Sequence, residues 1–255
     1  MIFAIALFVL ATTPAAQPQA VVPLREVVYK VSSLRTQALT IETYGGSVAN
    51  DLPEGNGSTT TISHEPQPTA QRTAVLEEGT MTIDVVGIEQ NVIRVNITEN
   101  FKNRPTARTY SAYVAPNGLV RFDNEDPSPV ARFLLPLFGT NFAATETFST
   151  GDSWHVDLKT NAVDVQNIFT IAGQDGPLLL LDEHETVKLT SARGMNYLGT
   201  GKIKYKPSLL VPIVGDIEEH GARSTMDSVN EMRTTVHFER VSDTRDTTPT
   251  PTTAK

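Results

Sequence analysis

Residues 80–98 read TMTIDVVGIEQNVIRVNIT, and this stretch decides the fold class. Apolar residues alternate with polar ones from Met81 to Val85, and the alternation resumes from Ile93 to Ile97 after a short interval. Successive side chains of a strand point to opposite faces of its sheet, so a period of two predicts half-buried strands. The stretch therefore predicts two strands joined as an antiparallel hairpin.

The same period of two recurs through the rest of the chain, between turn-forming clusters such as Pro116-Asn117-Gly118 and residues 173–176. Turns at this spacing give about ten to twelve strands, which is typical of antiparallel all-β folds. We predict an all-β, antiparallel open barrel or half-barrel. A faint internal repeat suggests two similar β halves, residues 21–128 and 145–241, joined by residues 129–144.

Two segments and the C-terminus break the alternation. Ser128-Pro129 has the form of an N-cap followed by proline at the first helical position, which predicts a short helical segment over residues 129–142. Pro136 is expected to kink or end it. Residues 47–74 are polar and rich in Gly, Pro, Ser and Thr, which predicts a mobile surface loop, and residues 242–255 are expected to be a disordered tail.

The N-terminus has the pattern of a secretory signal. An uninterrupted apolar run from Ile2 to Leu10 leads into small and turn-forming residues. The run is shorter than the roughly 20 apolar residues that span a bilayer. We therefore predict a signal peptide over residues 1–20 and an exported mature chain, periplasmic or extracellular, without a transmembrane segment.

Composition excludes several classes of function. The 255 residues carry 21 basic and 29 acidic side chains, a formal charge of −8, which opposes the counterion release that drives nucleic-acid binding. There is no cysteine, so disulfides, thiolate metal sites and thiol nucleophiles are excluded. No phosphate loop or dinucleotide fingerprint is present, and we predict no cofactor.

Catalytic and metal-binding motifs find little support. Gly151-Asp152-Ser153-Trp154 invites comparison with serine hydrolases, but it precedes a predicted strand, and a turn explains it more simply. The five histidines lack the spacing of a zinc-binding helix. We predict no catalytic residues and no metal ligands. A cryptic hydrolase would need Ser153 close to a histidine such as His184 or His220.

Concentrated apolar runs are the more informative feature. Four consecutive leucines at residues 178–181, a second run from Leu209 to Val214 and the apolar 129–142 segment exceed what a half-buried sheet needs. Two interpretations remain open, a solid core and a cavity for an acyl chain or other apolar ligand. The residues predicted to line or cover such a cavity are Phe133, Leu134, Leu137, Phe138, Trp154, Leu179, Leu181 and Leu210.

Three short motifs carry a resemblance to known proteins. They are Leu134-Leu135-Pro136-Leu137, the Gly151-Asp152-Ser153-Trp154 turn with residues 148–150 before it, and residues 199–205, GTGKIKY. Together they resemble exported bacterial β-rich proteins of unknown function over most of the mature chain, and this resemblance implies no catalytic residues. A looser likeness is to the half-barrel periplasmic carriers of lipoproteins and lipids, which implies a curved sheet around an apolar cavity.

We interpret the sequence as an exported, non-enzymatic β protein that binds an apolar, lipid-like small molecule or an envelope protein. One alternative is a structural or protein-interaction module of the cell envelope, which a solid core with an exposed sheet edge or patch would favour. The other is the cryptic serine hydrolase.

Overall fold

The computed structural model describes residues 23–41, 69–123, 127–139, 148–159, 163–189, 196–224 and 228–245. The predicted signal peptide, residues 47–68 of the predicted loop and the chain beyond residue 245 lie outside these ranges. Most described residues belong to eleven strands: β1 (Arg25–Ile41), β2 (Thr69–Glu89), β3 (Val92–Phe101), β4 (Arg108–Val114), β5 (Val120–Phe122), β6 (Ser153–Lys159), β7 (Val163–Asp175), β8 (Leu178–Leu189), β9 (Asn196–Lys206), β10 (Val211–Ser224) and β11 (Ser228–Asp243).

The strands form one antiparallel sheet in the order β5-β4-β3-β2-β1-β11-β10-β9-β8-β7-β6. Each strand pairs with its neighbour in sequence, except that β5 and β6 lie at opposite edges of the open sheet. The hairpin predicted from residues 80–98 is β2 and β3, with Ile83 opposite Ile97. The prediction of an all-β antiparallel, open fold is therefore confirmed.

The first and last strands meet in the middle of the sheet. Residues 27–41 of β1 pair with residues 228–243 of β11 and join β1–β5 to β6–β11. At one end of this seam, Arg25 donates to the Asp243 carboxylate at 3.0 and 2.5 Å. Asp243 lies in a region predicted to be a disordered tail. Because this buried ion pair anchors it, β11 continues two residues beyond the predicted end of the domain at residue 241.

The predicted helical segment is present. The helix α1 (Pro129–Leu134) begins at the N-cap Ser128, whose hydroxyl accepts from the Ala131 amide at 3.1 Å. Pro136 follows in a 3₁₀ turn, Leu135–Phe138, that ends the segment within the described residues. We call residues 129–138 the helical segment.

The sheet curls around the helical segment. The helix α1 contacts β1 and β11, while its 3₁₀ turn contacts both β4 and β10. β4 and β10 are five positions apart in the sheet, about 24 Å if it were flat at the usual strand spacing. A four-residue turn touches both only if the sheet is strongly curved. We call the face that packs on the segment the inner face and the opposite one the outer face.

The strand bounds differ from the predictions at two places. Residues 69–74, predicted as part of a loop, belong to β2 and pair with residues 36–41 of β1. Residues 71–74 are exposed, so backbone pairing holds this part of β2 and no apolar alternation marks it. Leu209 and Leu210 were predicted within a strand, but Leu209 ends the 3₁₀ turn Pro207–Leu209, and Leu210 has a left-handed backbone with φ +52° before β10 begins.

Candidate functional site

Six of the eight residues predicted to line an apolar cavity lie together in the core beneath the helical segment. Phe133, Leu134, Leu137, Phe138, Leu179 and Leu181 all belong to this core and are at most 2% exposed. Trp154 packs against the core from β6 and is only partly buried, and Leu210 lies in the turn before β10. The structure thus brings six of them together as packed core. Their role in ligand binding stays a prediction.

The Gly151-Asp152-Ser153-Trp154 motif is a turn. The Asp152 carboxylate accepts from the Ser149 amide at 2.8 Å, and Gly151 has a φ of +98°. Ser153 begins the edge strand β6 and is exposed. His184 lies on β8, with β7 between them, so the two backbones are about 10 Å apart or more. This geometry does not place His184 beside Ser153 as a general base.

A groove of about 610 Å³ crosses the outer face of the sheet. β1, β2 and β8–β11 contribute to it. Its lining side chains are Ser32, Leu34, Leu76, Asp182, His184, Thr200, Lys202, Asp216, Glu218, Thr235 and His237. We call it the outer groove.

The outer groove combines an apolar end with a charged floor. Leu34 and Leu76 are register partners on β1 and β2, and they are 39% and 53% exposed. Lys202 of β9 lies in register between Asp182 and Asp216. Asp182 and Asp216 thus flank this lysine, and the Glu218 carboxylate also lines the groove.

Two contacts fix the charged floor. The His237 Nδ1 atom lies 2.7 Å from Asp216 Oδ1, and Arg233 pairs with Glu218 at 2.8 Å. Ser32 is the register partner of His237 on its other side, so Asp216, His237 and Ser32 follow the order of an acid, a base and a nucleophile. However, Ser32 lies in a strand paired on both sides, and its backbone amides belong to the ladders. They cannot form the oxyanion hole that acyl transfer requires.

Polar side chains replace the apolar core at one end of the inner face. Thr234, Glu219, Gly199, Glu185 and Asn167 are successive register partners across β11, β10, β9, β8 and β7. We call them the inner polar row. Cross-strand partners share one face of a sheet, so all five residues lie on the inner face, which packs against the helical segment.

The inner polar row forms hydrogen bonds with both the helical segment and the sheet. Arg132 of α1 donates to Glu219 Oε2 at 3.3 Å. Asn167 donates its side-chain amide to Glu183, which lies two residues before Glu185 on β8, at 2.8 Å. Burial raises the pKa of Glu183 to about 8, opposed by the Asn167 hydrogen bond and reinforced by the charge of Glu185. Burial and the Glu219 charge raise the pKa of Glu185 to about 7, against the attraction of Arg132.

Two glycines of β9 make room for these carboxyls. A Cβ atom on Gly201 would lie 2.7 Å from Glu183 Oε2, and one on Gly199 would lie 3.3 Å from Glu185 Oε2. The predictions made from the sequence include no buried carboxyl groups on β8. The available signal was the Gly199-Thr200-Gly201 spacing, which leaves two same-face positions of one strand without side chains.

Within the described ranges, no group of three or more His, Asp and Glu side chains has the geometry to hold a metal ion. Among the same residues, no helix has the length and apolar character to cross a membrane. The sequence matches no family model, and no curated protein matches it significantly. The resemblance to exported bacterial β-rich proteins and to half-barrel carriers therefore stays an expectation.

Proposed function

We propose that this chain is an exported, non-enzymatic binding protein of the cell envelope and that it holds its partner in the outer groove. The observation that carries the proposal is the contrast between the two faces of the sheet. The inner face is filled by the chain's own helical segment, whose Phe133 and Leu134 are almost fully buried. The outer groove is open, and it is lined by an exposed leucine pair at one end and by Asp182, Asp216 and Glu218 further along.

The chemistry of the groove favours a basic, partly apolar partner. Leu34 and Leu76 would bury an apolar side chain, while Asp182 and Asp216 would attract an arginine or lysine beside it. The formal charge of −8 adds long-range attraction for such a partner. A peptide segment of an envelope protein that alternates apolar and basic residues fits both requirements.

A titration of the full mature chain with two short peptides tests the proposal. The peptide Ac-Leu-Arg-Leu-Arg-Leu-NH2 is expected to bind and to shift the amide resonances of groove residues. Its acidic counterpart Ac-Leu-Glu-Leu-Glu-Leu-NH2 is expected not to bind. Affinity for the basic peptide should fall as salt screens the carboxylates. Equal binding of both peptides, or shifts confined to other surfaces, would overturn the assignment.

A matched pair of variants locates the site. Leu34→Ser removes the apolar side chain from that end of the groove without adding a charge and is expected to weaken binding about tenfold, or about 1.4 kcal/mol. Leu198→Ser makes the same change at a leucine that is 64% exposed and does not line the groove, and it should leave the affinity unchanged. Export itself is tested by N-terminal sequencing of secreted material, which should begin near residue 21.

The second candidate is a carrier of an apolar ligand on the inner face. It is favoured by the composition of the helical segment, which is apolar except for Arg132, and by the ion pair between Arg132 and the inner polar row. A lipid could replace such a segment without breaking many polar contacts. Native mass spectrometry and lipid extraction of protein from its own host test this. If no lipid co-purifies and oleate leaves the core resonances unchanged, the carrier hypothesis is excluded.

A further inference from the structure

Two carboxyl groups of the inner polar row flank a position without a side chain. Glu185 and Glu219 are both register partners of Gly199, one on each side. Their backbones are therefore about 9.6 Å apart, and two glutamate side chains leaning toward each other span that distance above the glycine. The Glu185 carboxyl already leans this way, since its Oε2 atom lies close to where a Cβ on Gly199 would be.

Each of the two carboxyls has one oxygen without a hydrogen-bond donor. Glu219 is 1% exposed, and while its Oε2 accepts from Arg132, its buried Oε1 has no partner. The buried Oε2 of Glu185 has none either. An unpaired buried carboxylate oxygen costs free energy, and two of them on neighbouring carboxyls are both satisfied if a proton lies between them.

We propose that Glu185 and Glu219 share one proton above Gly199, and that this carboxyl pair forms with Arg132 a pH-operated latch that keeps the helical segment seated on the inner face. The inference concerns the inner face alone and does not depend on what the outer groove binds.

The charge balance explains why loss of the proton would release the latch. With one proton the pair carries a charge of about −1, which the guanidinium of Arg132 neutralises. Without it, two carboxylates face Arg132, and Glu183 on the same strand adds a third negative group as it ionises. The other groups of the region are Tyr197 on β9 and Arg35 on β1, and Arg35 is exposed to solvent. Excess negative charge on partly buried carboxylates favours their hydration, which weakens the seating of the helical segment.

The direction of the effect follows from the raised pKa values of Glu183 and Glu185, about 8 and about 7. Both groups bind protons more tightly in the folded protein than in the unfolded chain. Their contribution to stability is complete below about pH 4.5 and is lost as the pH rises through 7 and 8. The latch is therefore closed in mildly acidic solution and weakened in mildly alkaline solution.

Carboxyl-carbon NMR of the full mature chain reports the protonation state of each carboxyl group through its chemical shift. We expect the side-chain carboxyl resonance of Glu185 to report a titration step well above pH 4.5, because burial and the neighbouring Glu219 charge raise its pKa. Glu219→Gln removes that charge, so the Glu185 step should move to lower pH. Titration of Glu185 near pH 4.5 in the wild-type chain, or a Glu185 step that Glu219→Gln does not move, would overturn the proposal.

Hydrogen exchange of the α1 amides, corrected for intrinsic rates, measures how strongly the helical segment is held against the sheet. Protection in the wild-type chain should fall about tenfold for each pH unit across the titration step. Glu185→Gln should lessen this fall. Glu218→Gln changes the neighbouring residue on the outer face and should leave it intact. Protection that is independent of pH, or equally affected by both variants, would show that the carboxyl pair does not hold the segment. If Glu185→Gln fails to fold, the wild-type titration and exchange data still decide.

Discussion

The seam between β1 and β11 depends on a buried ion pair, and its removal gives a prediction of definite size. The side chains of Arg25 and Asp243 are 6% and 0% exposed, and they are joined by two hydrogen bonds. The Asp243 carboxylate also accepts from Arg240 Nη1 at 3.2 Å and from the Arg245 amide at 3.0 Å. Asp243→Asn removes the charge that compensates buried Arg25 and leaves these donors poorly matched.

Breaking one partner of a buried pair costs about 3–5 kcal/mol, because the remaining charge has lost its compensation. We expect Asp243→Asn to lower the free energy of unfolding in urea by that amount. The double replacement Arg25→Met with Asp243→Leu should recover much of the loss, since it removes both charges together.

An exposed pair provides the control for this experiment. Lys102 and Glu78 lie 2.9 Å apart, but their side chains are 76% and 45% exposed. Glu78→Gln should therefore cost less than about 1 kcal/mol. A similar small loss for Asp243→Asn would refute the reasoning, because it would mean that the seam does not depend on this pair.

The Arg25–Asp243 pair should also depend on pH. Burial alone would raise the pKa of Asp243, but hydrogen bonding and attraction to Arg25 outweigh burial and lower it. The stabilisation from the pair should therefore disappear only as the pH falls below about 3.8.

Three further predictions concern the core, the inner polar row and the helix cap. Gly215→Ala would place a Cβ 2.4 Å from the Phe238 ring and should destabilise the fold by about 1–3 kcal/mol in urea unfolding, whereas Gly87→Ala, with open space around it, should change stability by less than about 0.5 kcal/mol. Glu183→Gln should reduce the loss of stability between pH 5 and pH 9, measured by unfolding at each pH, because burial raises the pKa of Glu183 to about 8; an unchanged pH profile would contradict this. Ser128→Ala should cost about 1 kcal/mol by removing the helix cap, and Ser128→Asp should restore most of it; equal losses in both variants would count against the cap.

Most of the fold could be predicted because its signal is local. Alternation at residues 80–98 depends on one apolar face of each strand, and the structure places Met81, Ile83 and Ile97 on that face. The helical segment was also predictable from local signals, because its N-cap residue favours a helix start and Pro136 favours a helix end in the adjacent backbone. The pairing of β1 with β11 could not be read in the same way, because the partners are about two hundred residues apart in sequence and no local pattern specifies them.

The candidate sites were largely missed for a related reason. Alternation identifies two faces but does not say which is inner when both carry polar residues, as they do from Asp182 to Glu185. Phe133 and Leu181, two of the residues predicted to line an apolar cavity, share the packed core, and their role in binding stays a prediction. The outer groove depends on register across six strands, and a single sequence does not determine that register.

The central claim is that the helical segment fills the inner face and leaves the outer groove for a partner. Methyl NOE spectra of the mature chain, recorded without and with equimolar oleate, test it most directly. The account predicts NOEs from methyl groups of α1 to inner-face methyl groups of β1 and β11, unchanged by oleate. Absence of these NOEs, or their loss when oleate is added, would contradict it and favour a carrier.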